Sequence, residues 1–447
     1  MLKRNGGITN SNSIQMRKKI IIPLSVICLL LIGSLSAFMY KYSTEITPFK
    51  ADADQAGLKL PTGFGASKVI DNLGKARHIV LTKDGSVYVK LMRVVNGKGI
   101  LFLQDKNKDG KYEVQTAFGN YGGTGITIKN GYLYASSDKE VFRYQLNDQE
   151  QVIDPANPEK IITGLLAGKQ HQTKSIVLDN ENNIYVNIGA PTNSCQENDR
   201  GLESKGKAGC PILDSAGGIW QFKADQLNQS YHNGIRYATG IRNVMGLDWN
   251  TQNNTLYVMQ HGRDNLNSSW PKLFNEKQSA ETPAEVMYMV KKGDNAGWPY
   301  IYYDSAQQKK ILAPEYGGDG KKEGSSAYIN PIADFPAHMA PNALLFYTGN
   351  MFPARYKNGA FIAFHGSWNR APEKQAGYFV VFVPFVNGKP SGKWEVFADG
   401  FSGLDAVMVP REAQHRPCGL AQAPDGSLFV TDDVKGTVYR IGYSSKK

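Results

Sequence analysis

Acidic residues are missing from the first 19 positions of this 447-residue chain, and residues 20–40 lack charge of either sign. The first stretch holds Lys3, Arg4, Arg17, Lys18 and Lys19, and Lys446 and Lys447 close the chain. Removing these seven cations from the net charge of +11 leaves only +4 for the body. So small an excess gives no support to a nucleic-acid surface. The uncharged run, at about 1.5 Å per residue, would span roughly 30 Å, the hydrocarbon thickness of a bilayer. The cations before it favour a cytoplasmic N-terminus and export of everything after residue 40. No lipoprotein-type cysteine follows the run. A cleaved signal peptide, with Ser34-Leu35-Ser36 as its processing site, is the alternative. The unbroken length favours an uncleaved anchor. The expected organisation is a cytoplasmic basic tail (1–19), a single transmembrane helix (20–40), a polar linker (41–58) and a body (59–447). The body is then periplasmic, on the outer side of the inner (cytoplasmic) membrane.

Cysteine is also scarce, with four in the chain. Cys28 lies in the apolar run. Cys195 and Cys210 flank the polar loop QENDRGLESKGKAG, and in an exported protein that spacing suits a disulfide. Closing such a loop stabilises by about 3 kcal/mol. Cys418 follows Arg416-Pro417 and is expected to be a buried free thiol rather than a nucleophile.

What the chain has in quantity is hairpins. Residues 244–249 and 256–260 read as two strands joined by a turn over 250–254. The run before the first strand carries Arg242 and Asn243, and the run after the second carries His261, Gly262, Arg263 and Asp264. In an antiparallel pair these two runs lie at the same end. Similar units begin at Arg77-His78, at residues 122–125, at His171, at His338 and at His415-Arg416, with turns near 85, 131, 182, 358 and 425. Six imperfect repeats of this kind predict an all-β, six-bladed β-propeller. Residues 59–75 contain a strand expected to close the ring by pairing with the last blade. The run Asp105-Lys-Asn-Lys-Asp-Gly110 begins like a calcium loop, but its twelfth position is Thr116, so a hairpin turn is expected there. Residues 300–330 read as an irregular surface loop and a candidate lid.

In a propeller, the lead-ins to the inner strands converge at one mouth of the central channel. That mouth could then hold Arg77, His171, Arg242, Arg263, His338, Arg370 and Arg416, with Asp264, Asp432 and Asp433 as partners. Guanidiniums outnumbering carboxylates suit a planar, multiply anionic ligand.

The runs QHQTKSIVLDNENNIYVNIGA, TGIRNVMGLDW, HGRD followed by AEVMYMVKKGDNAGWP, AHMAPNALLFY, HGSWNR and HRPCGLAQAPDGSLFVTDD resemble the glucose/sorbosone dehydrogenase family of pyrroloquinoline quinone (PQQ) enzymes. The likeness covers residues 60–443 and is greatest to the sorbosone dehydrogenase-type branch, with soluble quinoprotein glucose dehydrogenase more distant. The resemblance implies a quinoprotein that oxidises a sugar, aldehyde or alcohol. It implies His171 as the general base for hydride transfer to calcium-bound PQQ, and Arg242 as the group that binds the quinone oxygens and takes up developing charge. It places Asn243, His338, Arg370 and Arg416 on the cofactor, and Gly262 and Arg263 on the calcium and the cofactor it holds. An external acceptor, a quinone or a cytochrome, would take the electrons.

Three positions depart from the soluble glucose enzymes. Gln170 stands where they have an acid, Arg263 where they have a proline, and Pro336 where they have a cofactor-contacting tryptophan. These departures bear on glucose as substrate rather than on quinone chemistry. The competing readings are a calcium-dependent, lactonase-like propeller hydrolase and a non-catalytic propeller that binds glycans or proteins. The proposed topology predicts that protease added to intact spheroplasts digests the body, and protection of the body would contradict it.

Overall fold

The computed structural model describes residues 47–444. The expected membrane segment lies outside the described residues, among which no helix is long and apolar enough to cross a membrane.

Six antiparallel four-stranded sheets follow one another along the chain. Their inner strands are Ala76–Leu81, Ile126–Lys129, Ile176–Leu178, Val244–Asn250, Pro341–Phe346 and Pro417–Gln422. Each inner strand packs against the next, and the last packs against the first, so the six blades form a closed ring. The propeller read from the hairpins is therefore present, and all six hairpins fall at the expected turns. Two blades carry a short fifth strand in parallel pairing, Gln229–Ser230 beside Glu159–Thr163 and Asp294–Asn295 beside Ile235–Thr239. Each arrives from the following blade and stitches two neighbours together.

The ring is latched where its two ends meet. Phe64–Ile70 pairs antiparallel with Val438–Tyr443 and completes the last sheet as its outermost strand. Phe64 sits edge-on to Phe352, Phe397 and Tyr443, with centroids 4.9, 5.0 and 4.9 Å away. Residues 47–58 pack against the closing strand, where the Asp52 N–H donates to the Ala66 carbonyl (2.9 Å) and the Lys68 N–H to the Asp52 carboxylate (2.8 Å).

Four inner strands break register near their start, at Ala76/Ile79, Val244/Leu247, Pro341/Ala343 and Pro417/Leu420. A bulge bends the strand and re-aims its side chains. Repeated at one end of the ring, it turns four lead-ins toward the axis. Backbones approach closely there, since a Cβ on Gly246 would fall 2.9 Å from the Ala343 carbonyl carbon.

The loops also have definite structure. Cys195 and Cys210 form a disulfide, with Cα atoms 6.1 Å apart, and Cys418 is a buried free thiol whose pKa burial pushes up to about 11. Asp105 is a turn residue, its carboxylate accepting from Gly110 N–H (2.9 Å) and the Thr47 hydroxyl (2.7 Å). The 300–330 insert differs from the irregular loop expected. It contains a hairpin, Ile301–Asp304 with Lys309–Leu312, and packs Tyr302, Ile311 and Ala313 against Leu266 and Phe274. Burial of Ile301, Tyr302, Asp304 and Ile311 fixes the hairpin on the body.

The latch yields a prediction. Phe64→Ala should lower the free energy of unfolding by about 3 kcal/mol, read from urea denaturation. A loss under about 0.5 kcal/mol, typical of a neutral surface change, would show that the ring is held elsewhere.

Candidate active site

The lead-ins of His171, Arg242 and His338 meet at the mouth around Asp264. His171 and His338 both adopt left-handed backbone conformations, with φ of 50° and 63°. Such conformations cost about 1–3 kcal/mol for a residue with a side chain and cluster at functional sites. The turn at His171 requires Gly189 beside it, because a Cβ there would lie 2.6 Å from the His171 Cβ. His171 Nδ1 is 2.6 Å from the Ala190 carbonyl. A carbonyl only accepts, so Nδ1 carries the proton and Nε2 keeps its lone pair. Burial, reinforced by the nearby Arg242 guanidinium, lowers the His171 pKa to about 3, which keeps the imidazole neutral at pH 7.

Arg242 is buried, with four of its five N–H donors engaged. Its Nε donates to the Asn193 carbonyl (3.0 Å), and its terminal nitrogens to the Gly262 carbonyl (2.8 Å), the Asn193 side-chain oxygen (3.0 Å) and Asp264 (2.8 Å). Asp264 is the shared carboxylate of the site. It also accepts from Arg200 (2.9 Å) and, at its other oxygen, from Asn369 (3.3 Å). Burial alone would raise its pKa, but Arg242, His338 and Arg200 together hold it well below the usual carboxylate range. Asn369 also lies 3.5 Å from His338 Nδ1, which joins the HGSWNR and HMAP runs to the HGRD run. Asn243 is buried beside the His171 turn, and its main-chain carbonyl accepts from the His261 N–H (3.0 Å).

The remaining cations divide into two groups. Arg77 meets Asp433 at 3.3 Å, and Asp433 also holds His365 at 2.7 Å. Arg370 and Arg416 meet main-chain carbonyls instead. Arg370 donates to Ala280, Ala337 and Lys374, and Arg416 to His365 and Gly366. Neither guanidinium forms an ion pair among the described residues.

Arg263 faces elsewhere. Its guanidinium is 3% exposed and lies within 2.6 Å of the Glu315 carboxylate, whose side chain is 0% exposed. Glu315 also accepts from Trp270 Nε1 (3.0 Å) and the Ser194 hydroxyl (3.1 Å). Glu285, at the start of the strand after HGRD, accepts from Gly262 N–H (2.9 Å) and Ala340 N–H (3.2 Å), and burial pushes its carboxyl up to about 8.

Four residues that hold the site together escaped the sequence reading: Asn193, Arg200, Glu285 and Glu315. Asn193 is 0% exposed, accepts from Arg242 at two atoms and from Trp298 Nε1, and donates to the Asp264 carbonyl. The only hint in the sequence was that Asn193 and Arg200 lie in or next to the disulfide loop.

A six-bladed propeller with a neutral histidine and a surplus of guanidiniums at one mouth defines the class of protein. The chain belongs to the TrAA12-like family, which matches residues 58–444. The glucose/sorbosone dehydrogenase-like resemblance read from the motifs therefore holds. The chain is 26% identical over 399 residues to an uncharacterized protein of Borreliella burgdorferi, a match that covers 86% of this chain and 91% of that one. It is 22% identical over 343 residues to the pyrroloquinoline quinone-dependent sugar dehydrogenase of Hypocrea jecorina, covering 72% and 74%. Its fold is similar to that of the calcium structure of the Trichoderma reesei carbohydrate-active enzyme family AA12, with a TM-score of 0.70 at 19% identity, covering 89% of this chain and 100% of that one.

The Arg263–Glu315 pair makes a sharp prediction. Glu315→Gln leaves a buried guanidinium without its counter-charge and should cost about 3–5 kcal/mol in urea unfolding. The double variant Arg263→Met/Glu315→Leu should recover most of that loss. A Glu315→Gln protein as stable as wild type would show the pair to be incidental.

Proposed function

We propose that this protein is a PQQ-dependent dehydrogenase that oxidises a sugar or a sugar-derived aldehyde or alcohol. The observation that carries this reading is the charge balance at the mouth, where Arg370 and Arg416 donate to main-chain carbonyls without forming an ion pair among the described residues, and Arg242 shares a single carboxylate with Arg200. A planar tricarboxylate such as PQQ supplies the missing anions, and guanidiniums bind carboxylates in a fork geometry. The families of the relatives point the same way.

PQQ, when bound, would supply the acceptor for the hydride, which carries both electrons of the oxidation. The chain supplies the base and the field. His171 Nε2 takes the hydroxyl proton of the substrate, while Nδ1–H stays on Ala190 and fixes the ring. Arg242 is preorganised by four acceptors, so it stabilises developing negative charge with little reorganisation. Asn243, His338, Arg370 and Arg416 complete the binding surface. Arg263 contributes its main chain, because Glu315 occupies its guanidinium.

Calcium in this reading is held by the Gly262 and Arg263 carbonyls together with oxygens of the ligand. The described residues include no cluster of three or more His, Cys, Asp or Glu side chains placed to hold a metal. The Gly262 carbonyl also carries the Arg242 guanidinium, so a divalent ion there must share that oxygen. The proposal extends to an exported body, anchored through residues 20–40, that passes electrons to an external quinone or cytochrome.

The test titrates PQQ with calcium into the purified protein and follows cofactor reduction in a single turnover over a panel of aldoses, aldehydes and alcohols. His171→Ala should keep PQQ and lose about 10²–10⁴-fold in rate. Arg242→Ala should weaken PQQ binding about 10–100-fold, the scale of one charge-assisted hydrogen bond. If His171→Ala turns over like wild type when saturated with PQQ, the base is another group, and His338 is next in line.

A further inference from the structure

The disulfide-closed loop carries Arg200 across the mouth. Arg200 donates through one terminal nitrogen to the Gln170 side-chain oxygen (3.0 Å) and to Asp264 (2.9 Å), and through the other to the Asn265 side-chain oxygen. Gln170 immediately precedes His171, and its amide returns to Asp199 of the same loop (2.6 Å). The Gln170 side chain therefore ties the left-handed turn at His171 to the loop at both ends of its amide. The Arg200 end continues to Asp264, the partner of Arg242. The loop is also fixed internally, with Arg200 N–H donating to Gln196 (2.8 Å) and Asn193 N–H to Asp199 (2.8 Å). Its two ends are joined by Cys195–Cys210.

We propose that Arg200 is a positioning residue for the reaction, the one that fixes the His171 turn relative to Asp264 and Arg242, and that the disulfide keeps it in place. This inference rests on the assignment of His171 as the base. His171 has left-handed backbone that the local chain does not favour. Something outside the turn must hold it, and Arg200 is the group whose fork spans both sides. A misplacement of about 1 Å between base and substrate costs roughly 100-fold in rate. Arg200 has a side chain that is 28% exposed, so its removal leaves a space that a small solute can reach. Lysine in its place offers one charged nitrogen and cannot present the planar fork that reaches Asp264, Gln170 and Asn265 together.

The test has two readouts. In the full-length protein without cofactor, hydrogen exchange read by mass spectrometry should speed up in the segment 168–173 of Arg200→Ala, with the inner strands unchanged. The Cys195→Ser/Cys210→Ser variant should show the same local change. In the PQQ-loaded protein, Arg200→Ala should lower kcat about 10–100-fold with KM within about twofold, and added methylguanidinium should restore part of kcat. Arg200→Lys should fall between Arg200→Ala and wild type. Unchanged exchange at 168–173 in Arg200→Ala would overturn the proposal, and unchanged exchange in the cysteine variant would overturn the role of the disulfide. A rise in KM with kcat intact would make Arg200 a substrate ligand instead and would also overturn it. If wild type shows no PQQ turnover, the dehydrogenase reading fails by itself, while the exchange result still decides whether Arg200 holds the turn.

Discussion

One carboxylate, Asp264, is shared by two guanidiniums in the wall of a closed ring, and the arrangement of the mouth depends on it. Arg242 and Arg200 both bind the same oxygen, at 2.8 and 2.9 Å, and Asn369 approaches the other. With one negative charge between two positive ones, the centre keeps an excess of cation. Neighbouring Arg370 and Arg416 add to that excess, since both donate to main-chain carbonyls and neither forms an ion pair among the described residues. Buried like charges repel strongly in a low-dielectric site. The fold tolerates them because each guanidinium is held by several fixed acceptors, and the surplus is the feature that would attract an anion.

The ring makes this possible. Residues from separate blades meet only because each inner strand begins at the same mouth, and bulges near those starts turn the lead-ins toward the axis. The closing strand from the N-terminal side of the body prevents the circle from opening. Two insertions, each between strands of a single blade, one after Asn183–Ile188 and one after Glu285–Val290, then reach the residues of the site. The disulfide loop brings Asn193 and Arg200, and the 300–330 insert brings Glu315. Both were added at loop positions, where backbone changes cost the sheets little.

Much of this was legible in the sequence. The hairpins announced themselves through Gly, Asn and Asp turns between alternating strands, and the lead-ins of His171, Arg242, His338 and Arg416 could be placed at the mouth because topology alone puts them there. The disulfide was legible because both cysteines bracket one polar loop. The supports were not. Glu315 lies 52 residues from Arg263, Asn193 49 from Arg242, and Arg200 64 from Asp264, separations at which residue type and spacing say nothing of contact. Arg263 was placed on the calcium by the resemblance, through its main-chain carbonyl, and the Glu315 partner of its side chain in another insertion could not be read from the sequence. The hairpin at 301–312 was missed because its turn, SAQQ, has no Gly or Asn to mark it.

The central claim is that an excess of buried and half-buried cations at the mouth holds a planar polyanion. Titration calorimetry of the purified protein with PQQ and with its trimethyl ester, at low and high salt, tests it most directly. The account predicts that PQQ binds and weakens as salt rises, and that the uncharged ester binds at least about 100-fold more weakly, since each lost charge-assisted hydrogen bond is worth roughly 1.5–3 kcal/mol. Equal affinity for acid and ester, or no binding of PQQ at either salt, would contradict it.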